Sequence, residues 1–378
     1  MQPHVMPVLD PEMAVFIHDH LEIHHVDLLL GNPVTRFDPL ANQKISVTIK
    51  SGKTVTTDLV LLSVGVRPRV EIAEAAGLAI GERGGIRVDD EMHTSDRNIW
   101  AVGDAVEVTD VVTGVPILVP LAGPANRQGR IAADVIMETD SQRPRFRGVQ
   151  STAVCGILGM TVASTGVTEK VLQRIAPENG IGPYEKIYLH PDHHAAYYPD
   201  AKTITIKLIF SKKDGRIIGA QAVGMEGVEK RIDVISMAIQ KNGTVFDLEE
   251  AELCYAPQFG SAKDPVNMAG MIAANVLRGI APVAHWEHLR ESDAYVLDVR
   301  NPDEYAESRV ENAVNIPLND LRHRMAELPK NREIWAHCYV GQRSYYALRI
   351  LSQNGFTVRN LSGGFLMYEA LQKIREQP

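Results

Sequence analysis

One stretch of the 378-residue chain joins a nucleophile to groups able to activate it: His337-Cys338-Tyr339-Val340-Gly341-Gln342-Arg343-Ser344. It follows the strand-like run Ile334 to Ala336 and precedes a helical pattern, so the cysteine leaves a strand into a loop that opens a helix. Backbone N–H groups and the positive end of the helix dipole gather at such a junction and favour an anion, here the thiolate. Gly341 lets the loop fold tightly around a sulfur-sized species, and Arg343 adds donors to the same concavity. The competing reading of Cys338 is a buried strand-end residue that packs as a small hydrophobe. Cys155 and Cys254 lie far away with no Cys-x-x-Cys pair anywhere, which argues against a disulfide framework or a zinc site. Both read as structural.

A second chemical stretch is Thr94-Ser-Asp-Arg-Asn-Ile-Trp-Ala-Val-Gly-Asp-Ala105, which reads as the segment that closes a flavin site. Gly103 allows close backbone approach, and the Asp104 carboxylate can accept a hydroxyl hydrogen bond from a ribityl chain; the alternative for Asp104 is a helix cap. Yet no Gly-x-Gly-x-x-Gly loop occurs in the chain, and a dinucleotide fold needs that turn to hold the pyrophosphate. The sequence is therefore expected to be the rear part of a larger enzyme, with Met1 corresponding to an internal position. Four histidines near the start, His18, His20, His24 and His25, place His20 and His24 on one helical face, but no third ligand converges on them. No metal is expected.

The elements that position these residues follow from patterning. A helix over 11–25 carries Met13, Phe16, Ile17 and Leu21 on one face, and Val26 to Leu30 reads as a strand. Ile45–Ile49 and Thr54–Thr57 form a hairpin around Ser51-Gly52, and Leu59–Val64 reads as a buried strand ending at Gly65. A short helix from Glu71, a turn at Gly84-Gly85, a strand over Ile86–Val88 and a helix over Asn126–Met137 come next. Beyond Arg147, Thr203–Phe210 and Arg216–Val223 alternate as antiparallel strands around Asp214-Gly215, and helices follow over Val228–Gln240 and Asp264–Leu277. Residues 279–283 mark a linker. The expected fold class is α/β: a partial, Rossmann-like FAD/NAD(P)-binding region, an α+β dimerisation domain and a C-terminal α/β domain. The boundaries are 1–68 for the rear of a NAD(P)-binding domain, 69–147 for the flavin return segment, 148–278 for dimerisation and 284–378 for the last domain.

Composition bounds the rest. With 45% hydrophobic and 23% charged residues the chain is ordinary for a globular protein, and its longest apolar run is far short of a bilayer span. A net charge of −8 without a basic cluster leaves no footprint for nucleic acid. No secretory signal opens the chain, so the cytoplasm is the expected compartment.

The last third resembles the rhodanese family over Trp286 to Glu369. The resemblance rests on Tyr295-Val-Leu-Asp-Val-Arg300 with Pro302 and Glu304-Tyr305, Ala313-Val-Asn-Ile-Pro317, the Cys338 loop and Leu361-Ser-Gly-Gly364. It implies that Cys338 carries sulfane sulfur as a persulfide, and that Asp298 and Arg300 support the loop by hydrogen bonds. The chain departs from the pattern at Arg309, where many members have histidine, and at Phe365. From Met1 to Arg278 the chain resembles the pyridine nucleotide-disulfide oxidoreductases, within them the coenzyme A-disulfide reductases that carry a C-terminal rhodanese fusion. The markers are Leu9-Asp-Pro-Glu-Met13, Leu62-Ser-Val-Gly-Val-Arg-Pro68, Thr94 to Ala105, Pro120 to Gly129, Cys254 to Phe259 and Ala262 to Gly270. This resemblance implies FAD and NAD(P)H as cofactors, a homodimer, and coenzyme A disulfide, a persulfide or a polysulfide as substrate. It implies that Asp104, Gly103 and the N–H near Ala122 face the flavin, and that Gly65 approaches the nicotinamide nucleotide. It further implies that Tyr255 and one of Tyr197 or Tyr198, with Tyr198 preferred, reach the partner subunit's thiol site. The redox cysteine of the family lies in the N-terminal flavin half, so neither Cys155 nor Cys254 takes its place, and bound FAD is not expected of this chain. Alternatives are a sulfurtransferase working through Cys338 on a non-redox dimeric scaffold, and an NADH oxidase of the same family.

Overall fold

A computed structural model describes residues 4–137, 144–175 and 181–376. The chain divides into two compact units, one of residues 1–7 and 26–153, the other of residues 8–25 and 154–378.

The second unit opens with α1 (Pro11–Ile23), which starts where Pro11 sits in the first turn after Asp10 and buries Met13, Ala14 and Ile17. The first unit then supplies β1 (Val34–Pro39), β2 (Ile45–Ile49) and β3 (Thr54–Thr57), an antiparallel meander whose second hairpin is the expected one. After α2 (Glu71–Ala75), strands β4 (Ile86–Arg87), β5 (Val106–Thr109) and β6 (Pro116–Leu118) form a small sheet, followed by α3 (Ala122–Ile136). Ile131, Ala132 and Val135 of α3 pack with Met92, Val106, Val108 and Phe146 into this unit's core.

Two expected strands are corrected. Val26–Leu30 has no strand; the helix ends with His25 in a left-handed conformation, and the chain leaves it without ladder partners. Leu59–Val64 forms no strand and has no ladder partner, with Leu61 86% and Val64 91% exposed. An apolar run of this kind is the signature of a strand buried on both faces, which exists only between neighbouring strands. None of the described residues pairs with it.

The second unit continues through β7 (Ala153–Ile157), β8 (Met160–Gly166), α4 (Glu169–Leu172), β9 (Tyr184–Leu189), β10 (Ile204–Ser211) and β11 (Ile217–Gly224). The five strands lie in the order β7-β8-β11-β10-β9, and every residue of β10 and β11 is buried. Helices α5 (Val228–Gln240) and α7 (Pro265–Leu277) pack on this sheet, and α6 (Val245–Glu249) packs against α7. In α5, Val228, Ile232, Ile235 and Ile239 recur at helical spacing and are buried, as the sequence pattern predicts. In α7, Asp264 caps the first turn through the Val266 N–H at 3.0 Å with Pro265 behind it. Lys207 and Gln221 are register partners across β10 and β11, and both reach Asp10 at the start of α1. Lys207 with Asp10, Glu12 and Glu169 thus places four charged side chains in this core.

The C-terminal part runs β12 (Val283–Ala284), β13 (Tyr295–Asp298), α8 (Pro302–Glu307), β14 (Val314–Asn315), α9 (Leu321–Arg324), β15 (Ile334–His337), α10 (Gln342–Gln353), β16 (Val358–Leu361) and α11 (Gly364–Glu376). Its sheet has the order β12-β16-β15-β13-β14, and every pairing in it is parallel. The expected linker is therefore shorter than its pattern suggests, because Val283 already pairs with Asn360. No helix among the described residues is long and apolar enough to cross a membrane.

Candidate active site

Cys338 emerges from the C-terminal end of the central strand β15, where ligand sites form in parallel sheets. Gly341, with φ at +94°, is the residue before α10 and turns the loop back so that its N–H points at the Cys338 sulfur, 3.1 Å away. The Ser344 hydroxyl stands 3.5 Å from the same sulfur while donating to the Gly341 carbonyl at 3.1 Å. The sulfur therefore sits at the unsatisfied end of a 12-residue helix, among donors that favour an anion. Cys338 is 0% exposed. It packs as the hydrophobic reading requires and accepts hydrogen bonds as the nucleophilic reading requires, so the two readings coexist.

Arg343 does not hang free in the concavity. Its guanidinium forms a two-pronged pair with Glu304 of α8, at 2.6 and 2.7 Å. That pair holds the Glu304 carboxyl at about 2, and it raises the Arg343 pKa, with the Cys338 sulfur adding to the effect against burial. Glu304 thus fixes the fork of Arg343 next to the thiol, a role that no local spacing could announce, since 39 residues separate the two.

The expectation that Asp298 and Arg300 brace the Cys338 loop by hydrogen bonds is corrected. Arg300 pairs bidentately with Asp298 and donates to the Ser308 carbonyl at 2.6 Å, so its bonds brace the segment around α8. Its planar head also stacks 4.0 Å above the Phe365 ring. The departure at Phe365 is accommodated by that stacking, which needs an aromatic face and no polar handle. His337, fully buried, has neither ring nitrogen hydrogen-bonded and lies 3.7 Å from Asp298; burial pushes it down to about 4, so it is neutral behind the cysteine.

The loop is held from the other side by the start of α11. The Phe365 N–H donates to the Cys338 carbonyl at 2.8 Å and Leu366 to Tyr339 at 3.0 Å, while the Asn360 amide donates to Gly341 at 3.0 Å. Gly364, φ +63°, lies so close that a Cβ there would meet the Tyr339 and Cys338 carbonyls at 2.5 and 2.7 Å. Backbone cannot give way as a side chain can, so Gly364→Ala is expected to destabilise the fold by ~2 kcal/mol or more and to slow chemistry at Cys338. Thermal melting and the rate of Cys338 alkylation check it; a variant unchanged in both would show that the contact is soft.

In the first unit, Gly103 and Asp104 form a single turn whose Gly103 N–H donates to Gln128 of α3 at 2.7 Å, and Gly103 has φ +84°. Asp104 is exposed and makes no cap. Ala122 is the first residue of α3, so its N–H is one of the helix's unsatisfied donors. A Cβ on Gly103 would lie 4.0 Å from the Ala125 methyl, so the Gly103–Ala105 turn packs beside the helix that Ala122 opens. Gly65 is exposed on the unpaired segment with φ +89° and open space around it. The donor set fits the isoalloxazine and ribityl side of a flavin, whereas no glycine turn in the chain fits its pyrophosphate. Of the tyrosines, Tyr255 shares a hydrogen bond of 3.1 Å with Tyr197, whose pKa that bond raises; Tyr198 instead sets its ring edge-on to His194. Both Tyr197 and Tyr255 are exposed. The His20 and His24 rings lie 4.4 Å apart, tilted by 52°, and each ring bonds to a backbone carbonyl. Among the described residues, the three carboxylates Asp10, Glu12 and Glu169 converge as a cation's ligands would, but the Lys207 ammonium fills the space between them.

Residues 1–129 match the pyridine nucleotide-disulphide oxidoreductase family, residues 152–265 its dimerisation domain and residues 282–371 the rhodanese-like domain. A protein of Methanocaldococcus jannaschii named NADH oxidase is 36% identical over 272 residues, 71% of this chain and 58% of its own length. The coenzyme A disulfide reductase of Staphylococcus haemolyticus is 30% identical over 272 residues, 72% of this chain and 59% of its own. Among solved structures, reduced Bacillus anthracis CoADR-RHD is 42% identical with a TM-score of 0.93, covering 99% of this chain and 66% of that one. A NAD-dependent persulfide reductase from A. fulgidus is 39% identical with a TM-score of 0.86, covering 97% and 66%. The chain thus spans a little under two thirds of the length of the relatives it matches. With three successive regions matched in this order, the chain belongs to the pyridine nucleotide-disulphide oxidoreductase family, in the branch that carries a C-terminal rhodanese-like domain.

Proposed function

We propose that this chain serves an FAD- and NAD(P)H-dependent reduction of coenzyme A disulfide, a persulfide or a polysulfide, with Cys338 as the sulfur carrier of the fused rhodanese domain. The observation that carries the reading is the Cys338 sulfur accepting the Gly341 N–H at the mouth of α10, with Ser344 beside it and the Arg343–Glu304 pair adjacent. In the sulfur step, the Cys338 thiolate attacks the terminal sulfur of a donor. The Sγ–S bond forms, the donor's sulfur–sulfur bond breaks, and its electron pair leaves with the rest of the donor, as a thiolate from a persulfide or as sulfite from thiosulfate. The resulting persulfide anion lies where the helix end and Arg343 favour negative charge. Because Cys338 has no accessible surface, the loop above it opens for the donor to enter.

A bound flavin would supply electron transfer between a nicotinamide and a thiol site; of this chain's residues, Gly103, Asp104 and the Ala122 N–H would hold its ring and ribityl side, and Gly65 would approach the nicotinamide. Tyr255, with Tyr197 as its hydrogen-bonded neighbour and Tyr198 next along the chain, would donate to a leaving thiolate across a homodimer. A cytoplasmic setting agrees with three free cysteines.

A second reading, sulfurtransferase activity through Cys338 on a non-redox dimeric scaffold, is favoured by the sulfur loop drawing its donors, Gly341, Ser344 and the Arg343–Glu304 pair, from the C-terminal part alone. One experiment addresses both. The purified chain is incubated with thiosulfate or a persulfide, and the peptide bearing Cys338 is weighed. Gain of one sulfur atom supports carriage at Cys338, and its absence overturns both readings. The visible spectrum separates them: bound flavin favours the reductase, and a colourless, sulfur-loaded protein favours the transferase.

A further inference from the structure

The turn that braces the Cys338 loop is itself held by the antiparallel sheet. Ser362 accepts the Tyr188 N–H of β9 through its hydroxyl at 3.0 Å and donates its own N–H to the Ala284 carbonyl at 2.9 Å. Gly363 has φ +74°, and a Cβ there would meet the Tyr188 Cβ at 2.8 Å, so this backbone is pressed against β9. The residue just beyond β9, His190, completes the clamp: Nε2 lies 3.1 Å from the Gly363 carbonyl, and Nδ1 lies 3.0 Å from the Thr205 hydroxyl of β10. A carbonyl only accepts, so Nε2 carries the proton. A neutral ring then leaves Nδ1 to accept from Thr205, and burial, which pushes His190 down to about 4, keeps it in that form. One residue further along the chain from Gly363, Gly364 touches the Cys338 and Tyr339 carbonyls, and then Phe365 bonds to Cys338.

We infer that His190 is a positioning residue for the sulfur-carrier loop: its Nε2–H, oriented by Thr205, fixes the Ser362-Gly363-Gly364 turn and through it the Cys338 backbone. The catalytic loop of the rhodanese domain is then registered against the dimerisation sheet by the His190 imidazole, beside the Tyr188–Ser362 bond. This inference rests on the proposal that Cys338 carries sulfur, but the bond geometry can be tested without it.

The test uses the full chain and two variants that divide the ring's two contacts. His190→Gln retains an amide N–H near the Nε2 position, and His190→Asn retains a group only near Nδ1. Sulfur transfer from thiosulfate and alkylation of Cys338 by iodoacetamide are measured beside the melting temperature. Loss of one buried hydrogen bond predicts that His190→Asn lowers kcat and the alkylation rate about fivefold with KM for thiosulfate unchanged, while His190→Gln stays within about twofold of the native chain. Equal rates in both variants and the native chain, whatever the melting temperatures, would overturn the inference. So would equal losses in both variants, because that pattern reports general disruption and not the Nε2–H contact. If the native chain transfers no sulfur, the functional proposal fails, and the alkylation rates alone decide the positioning role.

Discussion

Cys338→Ser is expected to leave the chain folded and to abolish sulfur transfer, a loss on the order of a thousandfold or more, since the nucleophile itself is removed. The two side chains differ by one atom. The serine oxygen can accept the Gly341 N–H that the sulfur accepts at 3.1 Å, and the residue has no surface to rearrange against water. The stability change should therefore remain within about 1 kcal/mol. Chemistry changes far more than packing. A hydroxyl is a far weaker nucleophile than a thiol, and an oxygen cannot hold sulfane sulfur as a persulfide. Urea denaturation and thiosulfate-dependent transfer, measured on the same preparation, check the two halves separately. Transfer above background in the variant would place the carrier elsewhere, and the candidates are then Cys155, partly buried, and Cys254, exposed. Reductase turnover, where the flavin is bound, should survive the substitution.

The loop around Cys338 was legible in the sequence because everything that makes it work is local: a strand, a glycine able to take φ +94°, and a helix whose first turn follows at once. Helices α5 and α7 were legible for the same reason, through periodic apolar residues and the Asp264-Pro265 start. The misses share a different cause. Leu59–Val64 has the composition of an inner strand, but composition reports what a segment needs and not whether its neighbours are present; here it stands exposed. Asp298 and Arg300 sit two residues apart and satisfy one another, so their motif spacing could not reveal which loop they brace. Glu304, His190 and Tyr197 act through partners 39, 173 and 58 residues away, and no window of sequence contains both members of those pairs. The Lys207 cluster was invisible too, because a lone lysine in an alternating strand reads as a solvent-facing position.

Lys207→Met is expected to cost ~3–5 kcal/mol of folding stability, since removing one partner of a buried ion cluster leaves the others uncompensated. Lys207 is 0% exposed, and its ammonium reaches Asp10 at 2.8 Å, Glu12 at 2.5 Å and Glu169 at 2.8 Å. Burial by itself would strip its proton, but Tyr188 and the three carboxylates hold it firmly charged. Burial would likewise raise Asp10, and Lys207 nonetheless brings it down to about 2. A cleft of about 860 Å³ opens over this network, yet its cations are occupied: Lys186 pairs with Glu169 and Glu287, and Arg359 pairs with Glu333. The cluster therefore ties α1, α4 and the sheet into one core. The sign with pH follows. A carboxyl lowered in the folded state gives stability that is present above its unfolded value of about 4 and is lost as pH falls toward about 2, so this cluster should weaken only in strong acid, whereas the buried neutral His190 and His337 cost the chain stability as pH falls below about 6.5. Methionine fills a similar volume but removes the charge. The three carboxylates then repel one another in a dry site, their folded pKa values rise above the unfolded ones, and folding takes up protons. The variant should consequently lose less stability than the native chain as pH falls from 8 to 5, since the two share the cost of keeping His190 and His337 neutral. Urea midpoints at those two pH values decide it. A stability loss independent of pH would mean that Lys207 acts by packing and that water reaches the carboxylates.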